Sequence, residues 1–501
     1  MSRAYDIAAL RAVIGPIKWE DNPILVKQKS RDFYWYSPVL KRELEAVTAD
    51  VVVSPTSEAE VRAVLVAAYR LGIPVTPRGA GTGNYGQAMP LMGGVLLNLA
   101  EMNRVRSIEQ GRVVCEPGAL LIDVDKAAQA SGQELRMFPS TRGTASIAGF
   151  VAGGSGGVGS ISWGGLRDFG NVLRLRVMTM EEEPRALELK GEDLHKAVHA
   201  YGTNGIITEV EAPLTAHYDW VDVIVGFDSF DAATAYALAL GEQDGILKKL
   251  VTVVAGPAPH DYFLRHRALI PPGDSVVILM IAPHALDAFE AFTRPYKDAR
   301  ILFDSSRASR ETLAGLPPNY ELTWNHTTLR ALRIDPRITY LQARYPSDRA
   351  LETIKRIHDR YGDEVRGHLE VIRFNGRIGF AGLPLVKFTT EARLDDIIAE
   401  HEAMGATIFN PHRYTLEEGG MKQTDAVQLA FKRETDPRGL LNPGKMIAWE
   451  NPDFDFSARQ NFLFPGLEAR ARAGAELTGV ARPGAVRPSG RDEFRTGDET
   501  Y

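Results

Sequence analysis

Read as a succession of apolar and polar positions, the first two hundred residues alternate short strands with helices. Val51, Val52 and Val53 make an apolar run of strand length. Ser57 and Glu60 then have the spacing of a capping box, and Val61, Val64, Leu65, Ala68 and Leu71 recur on one face of a helix. Gly72 supplies its stop. Further strands are predicted at Ile73 to Thr76, Val95 to Leu99, Val113 to Cys115, Leu173 to Met180 and Ile206 to Leu214, with a helix from Ala119 to Ala130 ended by Gly132. Past residue 215 the pattern shifts to longer amphipathic helices, such as Asp231 to Leu240 and Arg349 to Tyr361, between strands such as Ser275 to Ile281. At 501 residues the chain exceeds one ordinary core, so two lobes are expected, with room for an active site between them.

Two glycine-dense stretches interrupt this pattern. Arg78 to Gly86, RGAGTGNYG, contains the GxGxxG spacing of a dinucleotide-binding turn, with Glu101 near the acidic position expected about twenty residues on. Only eight residues separate Gly86 from Val95, and they include Pro90, Gly93 and Gly94. That is too short for a parallel crossover with its helix. The loop therefore reads as a nest of backbone N–H groups for a pyrophosphate, not as a Rossmann turn. The second stretch, 143–170, has ten glycines and no periodic apolar face, a composition costly to order unless it has a task.

Composition narrows the function classes. A formal net charge of -6 gives no support to nucleic-acid binding. The one cysteine, Cys115, excludes an intramolecular disulfide and any cysteine-rich metal or iron–sulfur site, and it fits a reducing compartment, with the cytoplasm as the default. Arg11, Gly15, Pro16 and Lys18 interrupt any signal-peptide core, and no run approaches the roughly 18 apolar residues of a transmembrane helix. From Glu468 onward the chain is rich in Ala, Gly, Arg and Pro, which predicts an extended or mobile tail.

Four separated segments, in order, resemble the vanillyl-alcohol oxidase and p-cresol methylhydroxylase (PCMH-type) flavoprotein superfamily, nearest its glycolate oxidase and D-lactate dehydrogenase branch. They are Pro77-Arg78-Gly79-Ala80-Gly81-Thr82-Gly83; Ser146-Ile147-Ala148-Gly149 to Arg167-Asp168; Gly202-Thr203-Asn204-Gly205-Ile206-Ile207-Thr208-Glu209; and Asn442-Pro443-Gly444-Lys445. The resemblance implies an α+β protein with a two-domain fold: a PCMH-type FAD-binding domain of two α/β subdomains and an α+β substrate cap. On this basis 1–47 is an N-terminal arm, 48–215 the FAD-binding domain, 216–435 the cap, 436–467 the return to the FAD domain, and 468–501 the tail. It also implies that Arg78, Gly79, Ala80, Gly81, Thr82, Gly83 and Asn84 hold pyrophosphate. Ser146, Gly149, Gly153, Gly154, Ser155, Gly156, Gly157 and Gly159 would follow the ribityl chain and flavin edge. Main chain at Ile206 and Ile207 would meet adenine, with Asn442 and Lys445 on the returning chain. The two glycine segments contain no His or Cys for a covalent link, so dissociable FAD is expected.

The cap decides the substrate. In that branch, metal-assisted oxidation of 2-hydroxy acids uses GHxGDGNxH-like and EHGxG-like segments. This chain has Gly367-His368-Leu369-Glu370-Val371-Ile372-Arg373 and Asn410-Pro411-His412-Arg413 in their places. Two of the ligands implied by the resemblance are missing, so no metal is expected. Histidine suits removal of a hydroxyl proton and arginine suits an anionic anchor. The catalytic candidates are thus His368 or His412 as base, Arg373 or Arg413 as anchor, and Tyr414 beside them. The expected activity is FAD-dependent oxidation of a CH–OH group in a small organic substrate, a 2-hydroxy acid among the candidates, with oxygen, a quinone or a cytochrome as electron acceptor and a homo-oligomer left open. An alcohol or phenol oxidase, or a flavin-binding electron-transfer subunit, are the alternatives.

Overall fold

The structure is a computed structural model that describes residues 5–154, 156–374, 376–420 and 426–454. Ser155 and the tail 468–501 lie outside the described residues.

The first sheet has the spatial order Lys18–Glu20, Val51–Ser54, Val95–Asn98, Val75–Arg78. Its last three strands are parallel, and Lys18–Glu20 is an antiparallel edge. The strands are apolar without alternation because both faces are covered. Val51, Val53, Val95 and Leu97 meet Leu10, Val61 and Val64 on one side, while Val52 and Leu96 meet Val26 and Ala49 on the other. Helix Glu58–Leu71 begins at Ser57, whose side chain accepts from Glu60 N, and ends at Gly72 with φ 68°. The strands flanking the glycine loop are neighbours in this sheet, joined through 79–94 with no helix. The short spacing thus excluded the helix but not a parallel crossover. The crossover runs as irregular chain, held in part by the Phe33 N to Gly83 O bond of 2.7 Å.

The second sheet is antiparallel, in the order Val105–Glu109, Arg112–Cys115, Ile206–Ala216, Arg174–Met178, Ala186–Lys190, with Gln133–Leu135 also paired to Ile206–Ala216. Val113, Leu175, Val177 and Val210 bury one face against Val124 and Ala128 of Leu121–Gln129 and against Ile147 and Val151 of Ile147–Gly153. The other face carries Arg174 and Arg176, paired with Glu58, Glu188, Glu209 and Glu211.

The cap is built on an eight-stranded antiparallel sheet running Arg300–Asp304, Val221–Phe227, Ser275–Ile281, Lys248–Val254, His368–Phe374, Arg377–Gly382, Ala343–Arg344, Thr407–Ile408. Helices Phe230–Gly241 and Ala350–Tyr361 pack with it in one apolar core. After the cap the chain returns to the first sheet: Val75 N donates to Leu440 O at 2.8 Å and Asn442 N to Val75 O at 2.9 Å. Among the described residues no helix is long and apolar enough to cross a membrane.

Candidate active site

The glycine loop starts where Val75–Arg78 ends, at the carboxyl end of a parallel strand. The Arg78 guanidinium folds beneath it, donating to Arg31 O at 2.6 Å, and Gly81 closes over it with φ 70°. A Cβ at Gly79 would lie 2.1 Å from Ser146 Oγ, and Ala80 N donates to that oxygen at 3.3 Å. Both glycine segments therefore meet at Ser146. Among the described residues, the N–H groups of Gly81, Thr82 and Gly83 make no hydrogen bond to protein.

These segments wall a cleft enclosing about 1550 Å³ of empty space, its open mouth included. All seven residues Arg78 to Asn84 border it, as do Ser146, Gly149, Gly153, Gly154, Gly156 and Ile207. The other expected cofactor contacts stand elsewhere. Ile206 is buried in the core of the first sheet. Gly157 and Gly159 let their chain press on 136–138: a Cβ would lie 2.3 Å from Phe138 O at Gly157 and 2.1 Å from Arg136 O at Gly159. Asn442 and Lys445 support the loop from behind. Asn442 Nδ2 donates to Gln87 O at 2.8 Å and Tyr201 O at 2.7 Å, and Lys445 Nζ donates to Gly86 O at 2.6 Å.

Several cleft residues were not identified from sequence. Asp32, Phe33 and Tyr36 come from the N-terminal arm. The run Arg31-Asp32-Phe33-Tyr34-Trp35-Tyr36 was the available signal, a density of aromatic residues unusual for an arm. Burial pushes the Asp32 carboxyl up to about 6, opposed by the Lys445 ammonium, and burial pushes Lys445 down to about 7. His199 has φ 54°, and Tyr201, stacked on it at 5.5 Å, has φ 52°. His199 Nδ1 lies 3.0 Å from Gly154 O, an acceptor, so it carries the proton, and Nε2 keeps an open lone pair with no partner among the described residues. Burial holds this imidazole neutral, with its pKa down at about 3. Tyr85 donates to Gln342 across the cleft, and burial drives the Tyr85 and Tyr340 phenols well above their usual range.

A smaller cavity of about 490 Å³ adjoins the cleft, sharing Gly156, Trp324 and Gln342 with it. It is bordered by the guanidinium-bearing Arg344 and Arg373 and by Phe374 and Phe409. Of the five catalytic candidates only Arg373 borders either of these two cavities. Its Nε donates to Ile161 O at 3.2 Å, Nη1 to Gly376 O at 3.0 Å and Nη2 to Asp244, so one N–H on each Nη is left for a further acceptor. His412 is buried with both nitrogens engaged, Nδ1 2.8 Å from Ser37 Oγ and Nε2 3.0 Å from Tyr340 O. Burial takes its pKa down to about 3, so it joins arm to cap and has no nitrogen left for a substrate proton. Arg413 points toward Glu43 and Glu391, each 3.9 Å away. Tyr414 lies under the Lys445 ammonium, 5.0 Å from its ring centre. His368 is fully buried against Glu370 and Leu383 O.

The cleft fits FAD on its own evidence. Glycine brings main chain close to where an anion would sit, loop N–H groups are unengaged, and Arg78 lies beneath them. The buried Asn84 Nδ2 and His199 Nε2 lack partners among the described residues. No group of His, Cys, Asp and Glu side chains that could hold a metal ion occurs among the described residues.

Comparison with known proteins agrees. Residues 49–186 match the family described as FAD binding domain. The chain is 24% identical over 440 residues to the glycolate oxidase subunit GlcD of Bacillus subtilis (strain 168), covering 80% of this chain and 89% of that one. Two solved structures share its fold. Alkyldihydroxyacetonephosphate synthase has a TM-score of 0.65 at 15% identity, over 88% of this chain and 84% of the other. The 4-ethylphenol oxidase of Gulosibacter chungangensis has a TM-score of 0.62 at 18% identity, over 88% and 96%.

Proposed function

We propose that this chain, an FAD-dependent oxidoreductase with the PCMH-type fold, oxidises the CH–OH group of a small carboxylated substrate, a 2-hydroxy acid, seated in the smaller cavity. The observation that carries this reading is the junction of that cavity with the cleft at Gly156, Trp324 and Gln342, with Arg344 and Arg373 on its wall. Arginine recognises carboxylate through paired N–H donors, so an acid anchored there would direct its other end toward the cleft. The relative named as a glycolate oxidase subunit supports the same class.

FAD, when bound, supplies the two-electron acceptor. The chain's own residues do the rest of the binding. The loop N–H groups from Gly81 to Gly83 and the Arg78 charge receive pyrophosphate, Gly149 to Gly154 admit the ribityl chain, and His199 Nε2 accepts a hydrogen bond from a cofactor N–H or O–H. A neutral imidazole held at about 3 is a weak base at neutral pH, which favours this binding role over proton abstraction. The cofactor is read as dissociable: the two glycine segments carry no His or Cys, Cys115 is fully buried, and His199 Nε2 is assigned to a hydrogen bond. His368 and His412, expected as bases, are taken up by Leu383 O, Glu370, Ser37 and Tyr340 O and drop out of this reading, while Arg373, expected as an anchor, keeps that role and is joined by Arg344.

A second reading, oxidation of a phenol or aromatic alcohol, is favoured by the aromatic side of the cleft, where Phe33, Tyr36, Tyr85 and Trp324 border it. One experiment separates them. The purified holoprotein is mixed anaerobically with hydroxy acids, sugar acids and aromatic alcohols while flavin absorbance is followed. Bleaching by a 2-hydroxy acid, weakened about tenfold or more in KM by Arg373→Met or Arg344→Met, is expected. Bleaching by phenols alone overturns the first reading in favour of the second, and bleaching by none overturns both in favour of an electron-transfer subunit. Acid precipitation is expected to release FAD into the supernatant; yellow colour retained in the pellet overturns non-covalent binding.

A further inference from the structure

Trp324 stands where the two cavities meet, and its backbone adopts a conformation that a tryptophan rarely takes. Its φ of 51° and ψ of -142° fall in a region that glycine alone enters freely. The conformation is held by Glu370, whose Oε1 accepts from Trp324 N at 2.6 Å. That carboxylate is itself fixed. Thr252 donates to Oε2 from the paired strand, and His368 Nε2 lies 2.9 Å from Oε1. His368 Nδ1 lies 3.1 Å from Leu383 O, and Nε2 also lies 3.3 Å from Thr327 Oγ1, so both ring nitrogens are engaged. His368 and Glu370 are fully buried, and they alternate onto one face of His368–Phe374 with Ile372, which borders the smaller cavity.

The indole has no hydrogen bond of its own: Nε1 is buried without a partner among the described residues. One ring edge rests on the glycine stretch, where a Cβ at Gly156 would lie 3.4 Å from Cη2. Packing and the Glu370 bond to its backbone are therefore what place the ring at the junction. We propose that Trp324 sets the width of the passage between the smaller cavity and the flavin face, and that Glu370 and His368 are positioning residues for it. This rests on the reading of the smaller cavity as the substrate chamber.

The test uses FAD-loaded protein and two probes. Sulfite adds to N5 of an oxidised flavin and bleaches it, which reports access to the flavin face without any substrate. Trp324→Ala and Glu370→Ala are expected to bleach about fivefold faster than the wild type, while Glu370→Gln, which keeps an oxygen for Trp324 N–H, stays within about twofold. With glycolate and 2-hydroxyvalerate as substrates, Trp324→Ala is expected to shift the kcat/KM ratio about tenfold toward the longer acid, and Glu370→Ala to shift it in the same direction. An unchanged sulfite rate in Trp324→Ala overturns the inference. A Glu370→Ala variant that slows both acids equally, with its ratio unchanged, overturns the positioning role. If neither acid is oxidised by the wild type, the substrate reading fails and the sulfite comparison still decides Trp324. Should Glu370→Ala fail to fold, Thr252→Val removes one donor to Glu370 and is expected to bleach at a rate between wild type and Trp324→Ala; a wild-type rate overturns the role of Glu370.

Discussion

At Gly79 the lack of a side chain is what lets two chain segments share one hydroxyl. A Cβ there would lie 2.1 Å from Ser146 Oγ, the atom that accepts from Ala80 N. Gly79→Ala forces Ser146 to rotate and give up that bond, which opens the loop at the point where pyrophosphate would sit. The expected result is FAD binding weakened about tenfold, corresponding to roughly 1–2 kcal/mol for one lost hydrogen bond and its strain, read by flavin fluorescence titration. An unchanged affinity would mean that the loop tolerates the shift. Gly159 makes a contrast: with φ 105° and the Arg136 carbonyl at 2.1 Å from a built Cβ, its replacement acts on the fold and not on the cofactor. Both glycines stand in stretches that sequence marked as purposeful, yet only the partner atom tells them apart. Composition shows that glycine is needed; it does not show what approaches it.

At the scale of elements, the returning segment is the part that joins loop to sheet. Asn442 takes φ 41°, bonds Val75 O through its backbone, and reaches Gln87 O and Tyr201 O through its side chain. Asn442→Ala removes the donor that both of those carbonyls share in a buried place, at a cost of about 1–3 kcal/mol. Because both belong to chain that borders the cleft, a tenfold or greater rise in the FAD dissociation constant is expected, roughly in line with that cost, with kcat at saturating FAD much less affected. Equal loss of kcat at saturating FAD would place Asn442 in the chemistry instead. The local elements were legible because their signals are local: the capping side chain of Ser57, the stop at Gly72 and the apolar run at Val51 each act within a few residues. The four motif segments were legible by their order, but not that the two glycine stretches meet at Ser146 while Asn442 and Lys445 stand behind the loop. The role of the arm was not, since Phe33 meets Gly83 and Tyr36 meets Thr339 only after folding. The cap candidates misled for a related reason: His412 and His368 keep the residue type of a catalytic histidine, and their occupation by Ser37, Tyr340 O, Glu370 and Leu383 O is fixed by tertiary contacts.

The molecule as a whole buries many ionisable groups, and where the lobes meet they are paired. Lys249 of the cap sheet donates to Glu134, which also receives Trp220 and lies 3.0 Å from His217 Nδ1. The histidines are different, because several are buried in the neutral form. Burial lowers His199 and His412 to about 3 and His266 and His326 to about 4, against an ordinary value of 6.5. Each binds a proton more readily once unfolded, so its contribution to stability is complete above 6.5 and is lost as pH falls toward those values. His266 isolates the effect: it is 1% exposed, and neither ring nitrogen has a partner among the described residues. His266→Leu therefore removes a titrating group without breaking a hydrogen bond. Urea unfolding of the variant is expected to give equal or greater stability at neutral pH. Between pH 6.5 and about 4 its stability should fall less steeply than that of the wild type, by up to about 1.4 kcal/mol per pH unit, the share of one proton. If the two slopes coincide, His266 takes up its proton in the folded protein, and the acid sensitivity of the fold rests on the remaining buried histidines.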